Sequence, residues 1–419
     1  MFKERFMSEK LIITGRIIDG TGKEPISDGV VVIDGNKIEQ VGSKKNIQIP
    51  KDAKVIDAGG GTILPGLIDA HLHLVGMKDD KSVGLGIFEP DMSKAIRAAA
   101  SLPLLLNAGF TAVRDAGGIG LYLKRAIEEG TIKHAPRIRS ANKVLSQTGG
   151  HGDVHALPLD FVRAHGFGRL CDGADECRLA AREQFREGAD FIKICSTGGV
   201  LSERDLPTSS QFTFEEISAI VEEARRVGSY VASHAQGTTG IKDALKAGVR
   251  TIEHGIYLDE ETIDLLLKNN AYVIPTLSIV NRICTSGKEN GVPEWGIRKA
   301  KIVQEAHIES MKLARKAGVK IATGTDFCST PLLPFGENAL ELELFVNAVG
   351  FSPMEAIVAG TKISAEALQM SDTIGTLEKG KLADLIVVNG DPIVNISCLR
   401  NVDNIKVVIK DGVIEKNIL

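Results

Sequence analysis

Between about residue 63 and residue 348 this chain alternates short apolar runs with segments of helical period eight times over, and few architectures accept that order. The strand candidates fall at 64–74, 111–115, 137–145, 190–196, 230–235, 250–255, 272–277 and 319–325. Helix-period segments lie near 91–107, 119–129, 174–187, 213–227, 238–247, 259–269, 299–317 and 337–348. Eight strand–helix units read as an α/β fold built on a (β/α)8 barrel; an open doubly wound sheet shows the same alternation and is the other reading. Residues 10–60 carry no helical period and alternate β-type runs with turns, including a tight hairpin turn at Asp34-Gly-Asn-Lys37. After helices around 353–370, β character returns at Ala383–Val388 and Ile405–Ile409. The two ends are therefore expected to build one small β-sandwich, discontinuous in sequence. The domains are then 1–62 (sandwich, first part), 63–372 (barrel) and 373–419 (sandwich, second part), which a chain of 419 residues accommodates.

Composition excludes several classes of partner. Fifty basic residues stand against 54 acidic ones with no basic stripe, so neither nucleic acid nor an anionic membrane surface is expected. Residues 1–10 mix charges where a secretory leader would be apolar, and no apolar run approaches the ~20 residues that span a bilayer. These features point to a cytoplasmic protein, with either Met1 or Met7 as its start. The expected partners are a small-molecule substrate and further copies of the chain, as a homo-oligomer. The six cysteines are scattered without a Cys-x-x-Cys pair, which suits reduced, buried thiols. Gly375–Lys381 imitates a phosphate-binding loop, but Leu382 stands where Ser or Thr is needed. Gly117-Gly-Ile-Gly120 lacks the dinucleotide glycine spacing, and no Gly-x-Ser-x-Gly elbow occurs. Two loops are long enough to act as lids, 145–173 and 280–297.

The chemistry-bearing residues gather at the strand ends. His71 and His73, in Ile63-Leu-Pro-Gly-Leu-Ile-Asp-Ala-His-Leu-His-Leu74, are two apart, so on a strand both imidazoles face one side and can reach one ion. Lys193, His234, His254 and Asp326 each sit late in, or just after, later apolar runs. Taken singly, each histidine reads most simply as a satisfied core or surface group; for Lys193 an inward lysine paired with a carboxylate is the lesser reading. Jointly they sit where a barrel of parallel strands collects its reactive groups.

The runs Pro65-Gly-Leu-Ile-Asp-Ala-His-Leu-His73, Ile252-Glu-His-Gly255, Gly324-Thr-Asp326 and Gly375–Val388 resemble those of the amidohydrolase superfamily, over nearly the whole chain. Within it the chain is similar to the imidazolonepropionase-like group that includes Xaa-Pro and other dipeptidases, and Lys193 in Ile-Lys-Ile-Cys-Ser-Thr-Gly-Gly-Val200 favours the dipeptidase-like branch. The resemblance implies a binuclear centre of two divalent ions, zinc. His71, His73 and Asp326 would hold one ion, His234 and His254 the other, and a carboxylated Lys193 would bridge them. It implies a metal-dependent hydrolase that cuts an amide of a dipeptide or N-acyl amino acid with a metal-bridging hydroxide, Asp326 acting as general acid and base. Cyclic amide, lactam, lactone or ester hydrolysis on the same site is the alternative, and an inactive binding scaffold a third reading. The last predicts lost ligands, whereas all six positions are filled.

Substrate contacts are expected from His151, in Thr148-Gly-Gly-His-Gly-Asp153, which resembles a histidine the family uses near the scissile carbonyl or substrate carboxylate and is also assigned a catalytic role. Arg114 either meets the substrate or forms an ion pair with Asp115 at the barrel mouth. Gln236 occupies a position where a tyrosine is frequent in the dipeptidases, which puts carry-over of a carboxylate contact in doubt. Tyr257 either lends a phenol to the pocket or packs at a helix start. His134, His155, His165 and His307 match no role, and the polar helical stretch around His307 places that residue in solvent.

Overall fold

The computed structural model describes residues 10–50, 52–80 and 88–419. The first nine residues, with both candidate starts, lie outside the described residues. Four strands open the chain: β1 (Leu11–Ile17), β2 (Ile26–Asp34), β3 (Lys37–Ser43) and β4 (Lys54–Pro65). Their Ile and Val content suits a pleated, half-buried surface. β2 and β3 are antiparallel and close on the two-residue turn Gly35-Asn36, where Gly35 has φ +60°. This is the hairpin expected from Asp34-Gly-Asn-Lys37.

Ten strands follow. They are β5 (Leu67–Leu72), β6 (Phe110–Asp115), β7 (Arg137–Ser140), β8 (Val144–Ser146), β9 (Gly168–Leu170), β10 (Ile192–Cys195), β11 (Val231–Ala235), β12 (Thr251–His254), β13 (Tyr272–Ile274) and β14 (Lys320–Ile321). β5, β6 and β7 form one parallel sheet, and β14-β13-β12-β11-β10-β8-β9 another. Backbone bonds continue between the two: Asp190 N donates to Ser140 O at 2.8 Å, and Ala70 N to Thr323 O at 2.9 Å. Helices cover the strands as the periodicity predicts, with Asp91–Asn107, Ala174–Glu187 and Thr238–Ala247 matching residue for residue. The helix Phe214–Arg226 starts from a capping box in which Thr213 and Glu216 satisfy each other's backbone N–H groups. No helix of the described residues is long and apolar enough to cross a membrane.

The last strands are β15 (Leu385–Val388), β16 (Ile405–Lys410) and β17 (Val413–Asn417). They join the N-terminal strands in one seven-stranded sheet of order β17-β16-β15-β4-β1-β2-β3. The two ends do therefore build one β-rich unit, hydrogen-bonded as a single sheet where a sandwich was expected. Its core includes Ile13, Val31, Ile63, Leu385 and Val407. β4 runs on to Pro65, past the expected boundary at residue 62, because Ile63 and Leu64 pair with Val387 and Ile386.

Three expectations are corrected. The segment 137–145 is two strands in different sheets, broken at Asn142, whose φ is +61°. The Gln184 carbonyl holds that break by accepting from Asn142 Nδ2 at 2.9 Å and Lys143 N at 3.2 Å. The loop 145–173 carries a helix, Leu159–His165, and the strand β9. The segment 280–297 is mostly helical, split between Leu277–Ser286 and the start of Glu294–Ala317.

Arg137 at the start of β7 ties the parallel strands to the β-rich unit. Its Nη2 donates to Asp384 Oδ2 at 3.0 Å and Asp411 Oδ1 at 2.9 Å. Burial raises the pKa of Asp384, so its charge depends on that guanidinium. Arg137→Met strands a buried carboxylate and is expected to cost about 3 kcal/mol, read as a lowered thermal midpoint. An unchanged midpoint would show that the pair carries no stability.

Candidate metal centre

Each histidine at the strand ends spends one ring nitrogen on a fixed partner. His71, on β5, bonds Glu253 Oε2 through Nδ1 at 2.6 Å, and His73 bonds Gly117 O through Nδ1 at 2.7 Å. His234, on β11, bonds Gly198 O through Nε2 at 3.0 Å, and His254, ending β12, bonds Thr276 Oγ1 through Nδ1 at 2.7 Å. Partners of this kind set the tautomer and aim the remaining nitrogen, as around metal-binding imidazoles.

The free nitrogens of His71 and His73 converge with Asp326. One ligand atom from each of His71, His73 and Asp326 falls within 4.8 Å of the others. His73 Nε2 lies 3.1 Å from Asp326 Oδ1. The His71 ring centre is 5.2 Å from that of His254, which is 4.6 Å from that of His234. His71 Nε2 is buried without a hydrogen-bond partner among the described residues. An unsatisfied buried nitrogen costs about 1–3 kcal/mol unless something takes its lone pair. A divalent cation satisfies that atom, so the residues fit a metal.

Electrostatics agree. Burial first, with the charge of Lys193 or of a neighbouring imidazole adding to it, holds His71, His234 and His254 well below the usual histidine value and keeps them as neutral donors. For His73, burial is outweighed by the bond to Asp326, and its pKa is raised. For Asp326, burial is outweighed by His73 and His71, and its carboxyl stays below the usual range. Lys193, on β10, is buried, and burial lowers its pKa. Its charge also acts on His71, His73, His234, His254 and Asp326.

The backbone is bent to bring the ligands in. Strand residues alternate faces, so Glu253 and His254 would point apart; His254 instead has φ +72°. Both side chains then reach the same centre. Asp326 likewise has φ +61°, its N–H held by His71 O at 2.7 Å.

Arg114 is in neither of its expected places. Fully buried, its Nη2 donates to both Glu253 oxygens, at 2.7 and 2.8 Å, and its Nη1 to Thr251 Oγ1 at 3.1 Å. Asp115, its neighbour on β6, faces the other way and accepts from Leu74 N, Gly120 N and Ser140 Oγ. His307 is buried and bonds His254 O at 2.9 Å, correcting the solvent-facing expectation. Its helix packs against the helix Leu277–Ser286 and β14, so polar neighbours in sequence do not mark an exposed face.

Gln236 is buried, and its Oε1 has no partner among the described residues. Tyr257 is half-buried beside it, its N–H bonded to Gln236 O at 2.9 Å. His151 stacks on His234 with ring centres 4.0 Å apart. Burial pushes its pKa down to about 4. Sequence reasoning missed Glu253, Thr276 and Asp69, which supports the loop before Asp326 by accepting from Thr325 Oγ1 and Asn338 Nδ2, both at 2.7 Å. Asp69 is two residues before His71 on the same strand face, which was the available signal.

The family model described as "Amidohydrolase family" matches residues 62–414. The ochratoxinase of Aspergillus niger is 36% identical over 425 residues, covering 96% of this chain and 85% of that protein. A crystal structure of a Xaa-Pro dipeptidase with bound methionine in the active site has a TM-score of 0.87 at 37% identity, covering 97% of this chain and 99% of that one. A prolidase complexed with n-methylphosphonate-L-proline has a TM-score of 0.90 at 33% identity, covering 97% and 100%.

Glu253→Gln removes the charge beneath His71 and leaves Arg114 unpaired. It is expected to weaken divalent-metal binding about 10–100-fold, measured by competition with a chelator. Unchanged affinity would remove His71 from the ligand set.

Proposed function

We propose that this chain, which belongs to the amidohydrolase family and is a hydrolase acting on amide bonds, cleaves a dipeptide or an N-acyl amino acid. The observation that carries this reading is the grouping of His71, His73 and Asp326, with the rings of His254 and His234 beside them and His71 Nε2 left without a hydrogen-bond partner among the described residues. In this reading the parallel strands close into the (β/α)8 barrel, for which the bonds from β5 to residues 323–327 speak.

His71, His73 and Asp326 would hold one zinc ion and His234 and His254 the second, with Lys193 shared between them. When bound, such ions supply hydroxide near neutral pH and an electrophile for the scissile carbonyl. Lys193 contributes as a carbamate. Its neutral amine adds carbon dioxide, forming an N–C bond and releasing one proton, and the resulting anion is an oxygen donor that an ammonium could never be. Burial favours the neutral amine that this addition needs.

Asp326 takes the proton released as water attacks and hands it to the departing nitrogen. Its backbone N–H, held by His71 O at 2.7 Å, keeps the carboxylate turned toward the site. Glu253 and Arg114 hold His71 in place and touch no substrate. Gln236 offers its oxygen, unpartnered among the described residues, to a donor on the substrate, with Tyr257 beside it and His151 on the side of His234.

The test is an activity screen of the zinc-loaded protein against dipeptides and N-acyl amino acids, with Lys193→Ala and Asp326→Asn alongside. The wild-type protein is expected to turn over members of the panel, and each variant to lose at least about 100-fold in kcat/KM. Full turnover in both variants, or hydrolysis of lactones and lactams alone, would overturn the proposal.

A further inference from the structure

Solvent reaches the proposed ligands from one side. The side chains of His73 and Asp326 are 18% and 17% exposed, whereas His71, Lys193, His234 and His254 are buried. A molecule that approaches these side chains from water therefore passes His73 and Asp326. Phe167 stands at that opening. Its ring centre is 5.5 Å from that of His73, edge to face at 66°, and the residue is still 41% exposed.

A single exposed aromatic is ordinary on a protein surface. This one is fixed by the same backbone that fixes a proposed ligand. Phe167 lies between Gly166 and Gly168, where a Cβ would fall 2.5 Å from Val162 O and 2.7 Å from Gly152 O respectively, so the chain is wedged on both sides of it. Gly168 opens β9 in register with Val144 on β8. The ring itself meets Gly117, at which a Cβ would fall 3.0 Å from Phe167 Cζ and 2.4 Å from Val144 Cγ2. Gly117 O is the partner of His73 Nδ1. The Phe167 ring, the carbonyl of Gly117 and the imidazole of His73 thus pack as one unit, with part of the ring left to water.

The half of the substrate that meets this ring follows from the proton transfer. Asp326 hands its proton to the departing nitrogen, and Asp326 Oδ1 is 3.1 Å from His73 Nε2. That nitrogen therefore lies on the side of His73, and what it carries leads outward along His73 to Phe167. The acyl half lies beyond the scissile carbonyl, on the other side.

We propose that Phe167 is a specificity-determining residue whose exposed ring seats the side chain of the amine-side residue and selects flat, apolar groups there: aromatic before aliphatic, aliphatic before acidic. The proposal rests on the amide-hydrolase reading above and adds which half of the substrate is read, and by which side chain. Apolar surface laid on the ring leaves water, and a second ring also gains the offset or edge-to-face contact that aromatic pairs prefer. A carboxylate laid there loses water and gains no donor.

Two series of N-acyl amino acids test this with the zinc-loaded, full-length protein. One keeps an acetyl group and varies the amine side through phenylalanine, leucine, alanine and aspartate; the other keeps alanine and varies the acyl group. The phenylalanine-to-alanine ratio of kcat/KM is expected to exceed about 10 in the wild-type protein and to fall to about 3 or less in Phe167→Ala, with the order of the acyl series unmoved. Phe167→Leu is expected to fall between, and Phe167→Tyr to keep the wild-type ratio. Calorimetry gives a readout without turnover: L-phenylalanine is expected to bind the wild-type protein about 10-fold more tightly than L-alanine, and Phe167→Ala to remove the difference. An unchanged ratio, a preference carried by the acyl series, or a loss shared equally by every substrate, which would make Phe167 a mere support for His73, overturns the proposal. If no amide is cleaved while L-phenylalanine keeps an advantage that Phe167→Ala removes, the amide-hydrolase reading falls and the seat stands; if that advantage is missing as well, both fall.

Discussion

A buried ion pair sets the geometry from which the rest follows. Arg114 and Glu253 are both fully buried, and their bond runs across the interior from β6 to β12. Such a pair stabilises little by itself, because desolvating two charges offsets most of their attraction. Its value is positional. Glu253 Oε2 turns its remaining capacity to His71 Nδ1, which leaves Nε2 as the only nitrogen of that ring able to bind anything else. Arg114 also bonds Ala70 O, the carbonyl just before His71, so one guanidinium fixes both the backbone and the partner of the ligand. The aromatic face of Phe191 lies 5.1 Å from its carbon, closing the remaining side of the cation.

Around this anchor the chain accepts local strain. His254, Thr276 and Asp326 have φ of +72°, +56° and +61°, conformations that cost a non-glycine residue about 1–3 kcal/mol each. Each of these bends has a visible return. His254 is brought in beside Glu253, Thr276 supplies the hydroxyl that orients His254, and Asp326 is turned back over His71 and His73. Strain concentrated at three adjacent strand ends, and offset by packing elsewhere, is the pattern of a site held ready.

The parallel strands, the flanking helices and the group of His71, His73 and Asp326 were legible in the sequence, because strand period and position at a strand's end are local properties. What escaped was whatever depended on partners far along the chain. Arg114 was read against Asp115, its neighbour in sequence, although adjacent strand residues face opposite ways and its true partner is 139 positions on. Glu253 was passed over as the residue before a histidine, since nothing in the pattern announces that φ at His254 breaks the alternation. His307 was read as exposed from its polar neighbours, and the strand at 137–145 as continuous because Asn142 and its Gln184 contact leave no mark on periodicity. Lys299, nearly a hundred positions on, donates to the carbonyls of Gly199, Ser202 and Asp205, a contact that exists only once the turn at 199–205 is folded against its helix.

The central claim is that six side chains from distant points in the chain close around a pair of cations. Elemental analysis of the zinc-reconstituted protein after exhaustive removal of free metal measures this most directly. The account predicts two tightly held ions per chain in the wild-type protein, falling below two when Lys193 is replaced by alanine. One ion or none in the wild-type protein, or two retained without Lys193, would contradict it.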